Sequence, residues 1–126
     1  MKEAINVPAG WHTITPRIMV DEPEQLVEFV KRVFGAIGEY REEAPAEIRI
    51  GDSVIMISGT GVRSRTTACL YVYVSDTDAT YRHALDAGAS SIEEPAVMPY
   101  GDRRCIVEDK WGNTWQIATY VLPGRR

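Results

Sequence analysis

The stretch "VDEPEQLVEFVKRVFGA" (20–36) decides the fold, because the chain returns to it in altered form at "VSDTDATYRHALDAGA" (74–89). In the first copy Leu26, Phe29, Val30, Val33 and Phe34 recur at i, i+3, i+4, i+7 and i+8, the apolar stripe of an amphipathic helix. Asp21 or Glu22 can cap that helix, Pro23 suits its first turn and Gly35 its stop. In the second copy a capped helix turns Tyr81, Ala84 and Leu85 inward and ends at Gly88. A strand precedes each helix: "HTITPRIMV" (12–20), with Ile14, Ile18 and Val20 on one parity, and "ACLYVYVS" (68–75), with Leu70, Val72 and Val74.

Three short strands follow each helix. In the first half they are "IGEYREEA" (37–44), "AEIRI" (46–50) and "SVIMIS" (53–58), with Pro45 between the first two and a Gly51-Asp52 hairpin between the last two. In the second half they are "SSIEEPAVMPYG" (90–101), "DRRCIVED" (102–109) and "NTWQIATYV" (113–121). Aligning "GDSVIMIS" with "GNTWQIAT" pairs Gly51 with Gly112, as the helices pair Val20 with Val74. The expected architecture is α+β, a single domain over 1–126. It holds one βαβββ module at about 11–58, a Gly/Ser/Thr/Arg linker at about 59–67 and a second module at about 68–121. Each helix covers one face of its sheet, so two open faces remain to make a curved mixed-sheet cleft.

A net charge of −4 argues against nucleic acid and anionic membranes as partners. No apolar run reaches the roughly 20 residues of a membrane helix, and "MKEAINVPAGWH" (1–12) has no apolar core of a secretory signal. Cys69 and Cys105 lie in strand-like segments without a CxxC pair, which reads as two reduced, buried thiols in a cytoplasmic protein.

"HTITPRIMV", "EFVKRVFGA", "AEIRIGDSVIMIS", "LYVYVSDTDATYRHALDAGA", "YGDRR" and "VEDKWGNTWQIAT" together resemble the vicinal oxygen chelate superfamily, which groups glyoxalase I, bleomycin-resistance proteins and extradiol dioxygenases. Within it the likeness is to small bacterial PhnB-like or glyoxalase-like members. The resemblance implies paired βαβββ modules in a homodimer, with modules in many small members pairing across two chains. In metal-dependent members it also implies a divalent ion held by His and Glu from the first and last strands of each module. The repeat places those positions at Thr15, Ile55, Cys69 and Gln116. Ile55 has no donor atom, Thr15 is a weak neutral ligand and no carboxylate balances the charge, so no metal cofactor is expected. His12 reads as a surface or turn residue and His83 as a solvated helix residue.

Alternation assigns Thr13, Thr15, Arg17 and Met19 to the cleft, with Cys69, Tyr71, Tyr73, Thr114, Gln116 and Ala118. "VMPYGDRR" (97–104) can close one end through Tyr100 and Arg104. The expected ligand set is Thr15, Arg17, Ile55, Cys69, Tyr71, Tyr73, Tyr100, Arg104 and Gln116, a lining suited to an uncharged or anionic, planar small molecule stacked on tyrosine. Two other readings stay open. One is an enzyme of lyase, isomerase or dioxygenase type, metal-dependent or metal-independent, with Glu47, Cys69 or a tyrosine as acid or base. The other is a dimer whose cleft is filled by its own side chains.

Overall fold

The helices form where their apolar stripes place them. In chain order the elements are β1 (Arg17–Met19), α1 (Pro23–Phe34), β2 (Ala46–Ile50), β3 (Ser53–Ser58), β4 (Cys69–Tyr73), α2 (Thr77–Asp86), β5 (Ser90–Val97), β6 (Asp102–Glu108) and β7 (Thr114–Tyr120). The computed structural model describes residues 6–61 and 63–121. α1 buries Leu26, Val27, Phe29, Val30 and Val33, each worth about 2 kcal/mol of transfer free energy. It stops at Gly35, whose left-handed backbone (φ 65°) lets its N–H reach the Lys31 carbonyl at 2.9 Å. At the start of α2 the Asp76 carboxylate accepts from the Ala79 N–H at 3.0 Å.

The strands make two mixed sheets, β1-β3-β2 and β4-β7-β6-β5. In each, the strand before the helix lies parallel to the module's last strand: β1 beside β3, β4 beside β7. Ile18, Ala46, Ile48, Ile55 and Ile57 of the first sheet join Cys105, Val107, Trp115 and Ile117 of the second in one core cluster. Aromatic contacts tie the modules together. Phe29 meets Trp111 edge-on at 6.0 Å, Phe34 meets Trp115 at 5.2 Å, and the Trp111 indole donates to Glu22 at 3.1 Å.

Two sequence expectations need correction. β1 is short, because Pro16 has no N–H for a ladder, so Thr15 and the residues before it lie outside the strand. The strand expected at 37–44 is reduced to a single bridge, Ile37 to Arg49, and the first sheet has three strands to the second's four. Ile37 is 71% exposed, and the charged residues after it find partners off the ladder: Glu39 on Lys31, and Arg41 on the Pro45 carbonyl and Glu47.

Gly38 is what lets the chain pass so close to β2. Its φ is 140°, and a Cβ there would sit 2.5 Å from the Glu47 carbonyl oxygen and 2.8 Å from Ile48 Cδ1. Gly38→Ala is expected to cost about 2 kcal/mol, measured by urea unfolding. A loss of a few tenths would show that the segment simply moves aside.

Candidate functional site

Ladder register settles which side chains share the open face of the larger sheet. Tyr71 lies beside Gln116 and Tyr73 beside Ala118; across β7, Gln116 lies beside Ile106, Ala118 beside Arg104 and Tyr120 beside Asp102. The opposite parity, Cys105, Val107, Trp115 and Ile117, is buried toward the helices. Arg103 and Thr119 also point that way, to Asp78 at 2.7 Å and Thr77 at 2.7 Å on α2.

The open face is organised around Asp102, which is 0% exposed. Its Oδ2 accepts the Tyr71 hydroxyl at 2.6 Å and the Tyr73 hydroxyl at 2.8 Å. Both side chains reach across β7 to do this, a span of two strand spacings, or about 9.6 Å, and Ala118 between them has no side chain long enough to interfere. Tyr71 spends its proton on Asp102, so at its 3.2 Å contact with Tyr100 the Tyr100 hydroxyl must donate. Tyr100 in turn accepts from Arg104 Nη1 at 2.9 Å, and Arg104 Nη2 donates to Glu93 at 2.6 Å. The result is a directed chain from a guanidinium through two phenols to a buried carboxylate. Burial first, and the Asp102 hydrogen bond second, raise the Tyr71 pKa far above its ordinary value, so Tyr71 stays protonated.

Of the nine expected ligand residues, the structure brings together Tyr71, Tyr73, Tyr100 and Arg104, with Gln116 next to Tyr71. Gln116 is half-buried and makes no side-chain hydrogen bond among the described residues. Cys69 begins β4 and is exposed. Arg17 belongs to the other sheet, 3.4 Å from Ser58, and Thr15 precedes β1. Glu47 is paired with Arg41 at 3.2 Å on that same sheet, away from the tyrosines. His12, Ile14, Ser53 and Val54 face Tyr71 and Tyr73 across a cavity of about 380 Å³. A cavity of about 420 Å³ lies elsewhere, between α1 and Lys110-Trp111. His83 is exposed on α2, as expected.

Ile55 is misplaced in the sequence reading. It lies opposite Ile48, 4% exposed in the core cluster, and borders the 380 Å³ cavity from there. Register makes Met56 the counterpart of Gln116: Met56 lies beside Arg17 as Gln116 lies beside Tyr71. The alignment on Gly51 and Gly112 slipped by one because the hairpins differ, with two residues between Ile50 and Ser53 but five between Glu108 and Thr114. With Thr15, Met56, Cys69 and Gln116 at the four positions, there is still no imidazole and no carboxylate, a donor set that does not fit a divalent ion. Among the described residues no group of three or more His, Cys, Asp or Glu is placed to hold one.

Asp102 is the residue the sequence reading missed. Its signal was parity: two residues before Arg104, it had to share Arg104's face. The thiols also differ from expectation, since only Cys105 is buried, and burial pushes its pKa up to about 11. A thiol reagent at mildly alkaline pH is expected to modify Cys69 at once and Cys105 only after denaturation. Rapid modification of both would place Cys105 at the surface.

The family model of the glyoxalase/bleomycin resistance protein/dioxygenase superfamily matches residues 11–117. Mb0911c, an uncharacterised protein of Mycobacterium bovis, is 27% identical over 136 residues, covering 94% of this chain and 88% of its own. Among solved structures, TioX from Micromonospora sp. ML1 matches with a TM-score of 0.67 at 23% identity, over 86% of this chain and 99% of its own. A family enzyme from Burkholderia phytofirmans PsJN matches with a TM-score of 0.71 at 19% identity, over 83% and 95%. At these identities the structures speak for the fold.

Proposed function

Because the chain belongs to the glyoxalase/bleomycin resistance protein/dioxygenase superfamily, we propose that it binds a small organic molecule on the open face of its four-stranded sheet, without a metal ion. One observation carries this reading. Tyr71, Tyr73 and Tyr100 are anchored by their hydroxyls to one buried carboxylate and one guanidinium, which fixes their rings while leaving Tyr71 36% and Tyr73 51% exposed. Rings held in place by hydrogen bonds to a buried acceptor are pre-organised, as the contact residues of a binding site need to be. Tyr71 and Tyr73 stand 5.4 Å apart at 54°, an angled pair against which a planar group can stack. The adjoining cavity, bordered by His12 and Ile14, gives such a ligand depth.

The donor set at the four family metal positions supports the metal-free part of the proposal. A homodimer is part of the same reading. The open faces of the two sheets share no hydrogen bond within the chain among the described residues, and a second copy can bring one module's face over the other's. Among the described residues no helix is long and apolar enough to cross a membrane. Two free cysteines suit a reducing compartment such as the cytoplasm.

A thermal-shift panel tests the proposal, setting small aromatic and heteroaromatic compounds against divalent ions. Stabilisation by organic compounds, reduced in Tyr73→Leu, is the expected result. Stabilisation by a divalent ion, reversed by a chelator, would overturn it.

A further inference from the structure

We infer that the chain binds a phosphate group, free or carried by a small molecule, in a second cavity beside the three-stranded sheet. This cavity of about 270 Å³ shares no lining residue with the one below the tyrosines, and the inference does not rest on the function proposed above. Its walls come from β1, the end of β3, the segment 40–45 and the linker at Gly59, Gly61 and Arg63.

The charge comes first. Three guanidiniums, those of Arg17, Arg41 and Arg63, line the cavity from three separate parts of the chain. Arg41 is already engaged, donating to the Pro45 carbonyl at 2.9 Å and to Glu47 at 3.2 Å. That engagement matters for Arg17. Glu47 and Arg17 flank Met56 on one sheet face, so Glu47 is the carboxylate Arg17 would otherwise meet. With Glu47 held by Arg41, Arg17 donates only to the Ser58 hydroxyl, at 3.4 Å. Among the described residues neither Arg17 nor Arg63 forms an ion pair.

The neutral groups of the cavity can donate as well. Ser58 Oγ accepts from Arg17 and keeps its own proton. The half-buried Tyr40 hydroxyl makes no hydrogen bond among the described residues. Two guanidinium forks and two hydroxyls match a group with several acceptor oxygens, which a phosphate has and a carboxylate, with two, does not.

Glu42 and Glu43 also line the cavity, and both are exposed and paired with none of the three arginines. They limit the ligand to one compact anionic group, because the further charges of a polyanion would meet them. The net charge of −4 gives the chain no general attraction for anions, so selective binding reports this site alone.

The test is an NMR titration of the full chain with inorganic phosphate and with methyl phosphate, against sodium chloride at matched ionic strength. Both phosphates are expected to shift Arg17, Tyr40, Arg41, Ser58 and Arg63 and to leave the tyrosine face unmoved. Arg17→Gln and Arg63→Gln should each weaken binding about tenfold, and Arg82→Gln, on α2, by less than about twofold. All three positions are exposed, so the variants should fold, and circular dichroism checks this. Tighter binding of the ester would assign the site to an organic phosphate, and tighter binding of the ion to free phosphate. Equal shifts from chloride, or binding undiminished in both Arg17→Gln and Arg63→Gln, would overturn the assignment. So would the absence of shifts at these residues with either phosphate, whatever the thermal-shift panel gives for the tyrosine face.

Discussion

Asp109→Ala is expected to destabilise the protein by about 4 kcal/mol and to move the urea midpoint down by about 2 M. Asp109 is 5% exposed and accepts four hydrogen bonds, each 2.9 Å long. Oδ1 takes the backbone N–H groups of Trp111 and Asn113, and Oδ2 takes the Asn113 side-chain amide and the Trp115 indole. Asn113 then passes the order on, since its Oδ1 accepts the Ala68 N–H at 2.9 Å and the Thr114 N–H donates to the Ala68 carbonyl at 2.9 Å. One carboxylate thus fixes the turn between β6 and β7 and also sets the start of β4, the strand that carries Tyr71 and Tyr73. Removing it leaves several buried donors unpaired, whereas Asp109→Asn keeps one acceptor and should cost about half as much. A loss below about 1 kcal/mol for the alanine variant would mean that the turn is held by something else.

Asp102→Ala is expected to cost about 3 kcal/mol and to lower affinity for any ligand of the tyrosine face at least about tenfold. The stability term is smaller than for Asp109 because the freed tyrosine hydroxyls can turn to water, and because removing a buried carboxylate recovers part of its desolvation penalty. The affinity term arises because Tyr71 and Tyr73 lose the anchor that orients their rings. Asp102→Asn isolates the charge and has an independent readout in tyrosine ionisation. In the wild type, burial and the Asp102 hydrogen bond keep Tyr71 protonated above the ordinary tyrosine pKa of 10.0. A folded-state pKa raised in this way contributes stability that is complete below pH about 10 and is lost as pH climbs beyond it, because only the unfolded chain then ionises. In Asp102→Asn one further tyrosine should ionise closer to that ordinary value, seen by ultraviolet difference absorbance, and the alkaline loss of stability should shrink. Unchanged tyrosine titration would show that Asp102 does not hold Tyr71.

Periodicity in the sequence specifies most of the fold. The helix stripes, Gly35, Asp76 and the Gly51-Asp52 hairpin all act through local geometry, and local geometry is written in neighbouring residues. What stayed hidden depended on residues far apart in the chain. The segment 37–44 has the composition of a strand, but its pairing is decided by Gly38 against β2 and by charged side chains that bond elsewhere. Ile55 and Met56 exchanged roles because a glycine match ignored the unequal hairpins, and one residue of slip turns a side chain to the opposite face.

The site shows the same division. Alternation put Tyr71 and Tyr73 on the open face, and Tyr100 and Arg104 were picked out by their place in the irregular segment 97–104. Their shared anchor was not, because Asp102 joins them across β7, and no local pattern announces a contact between residues about thirty positions apart.

The most direct measurement is a heteronuclear NMR titration of the full chain with a compound that stabilises it. Shifts are expected to concentrate at Tyr71, Tyr73, Tyr100, Asp102, Arg104 and Gln116, the residues of the open sheet face. Shifts centred on the cavity between α1 and Trp111, or on Thr15, Met56 and Cys69 in the presence of a divalent ion, would contradict this site.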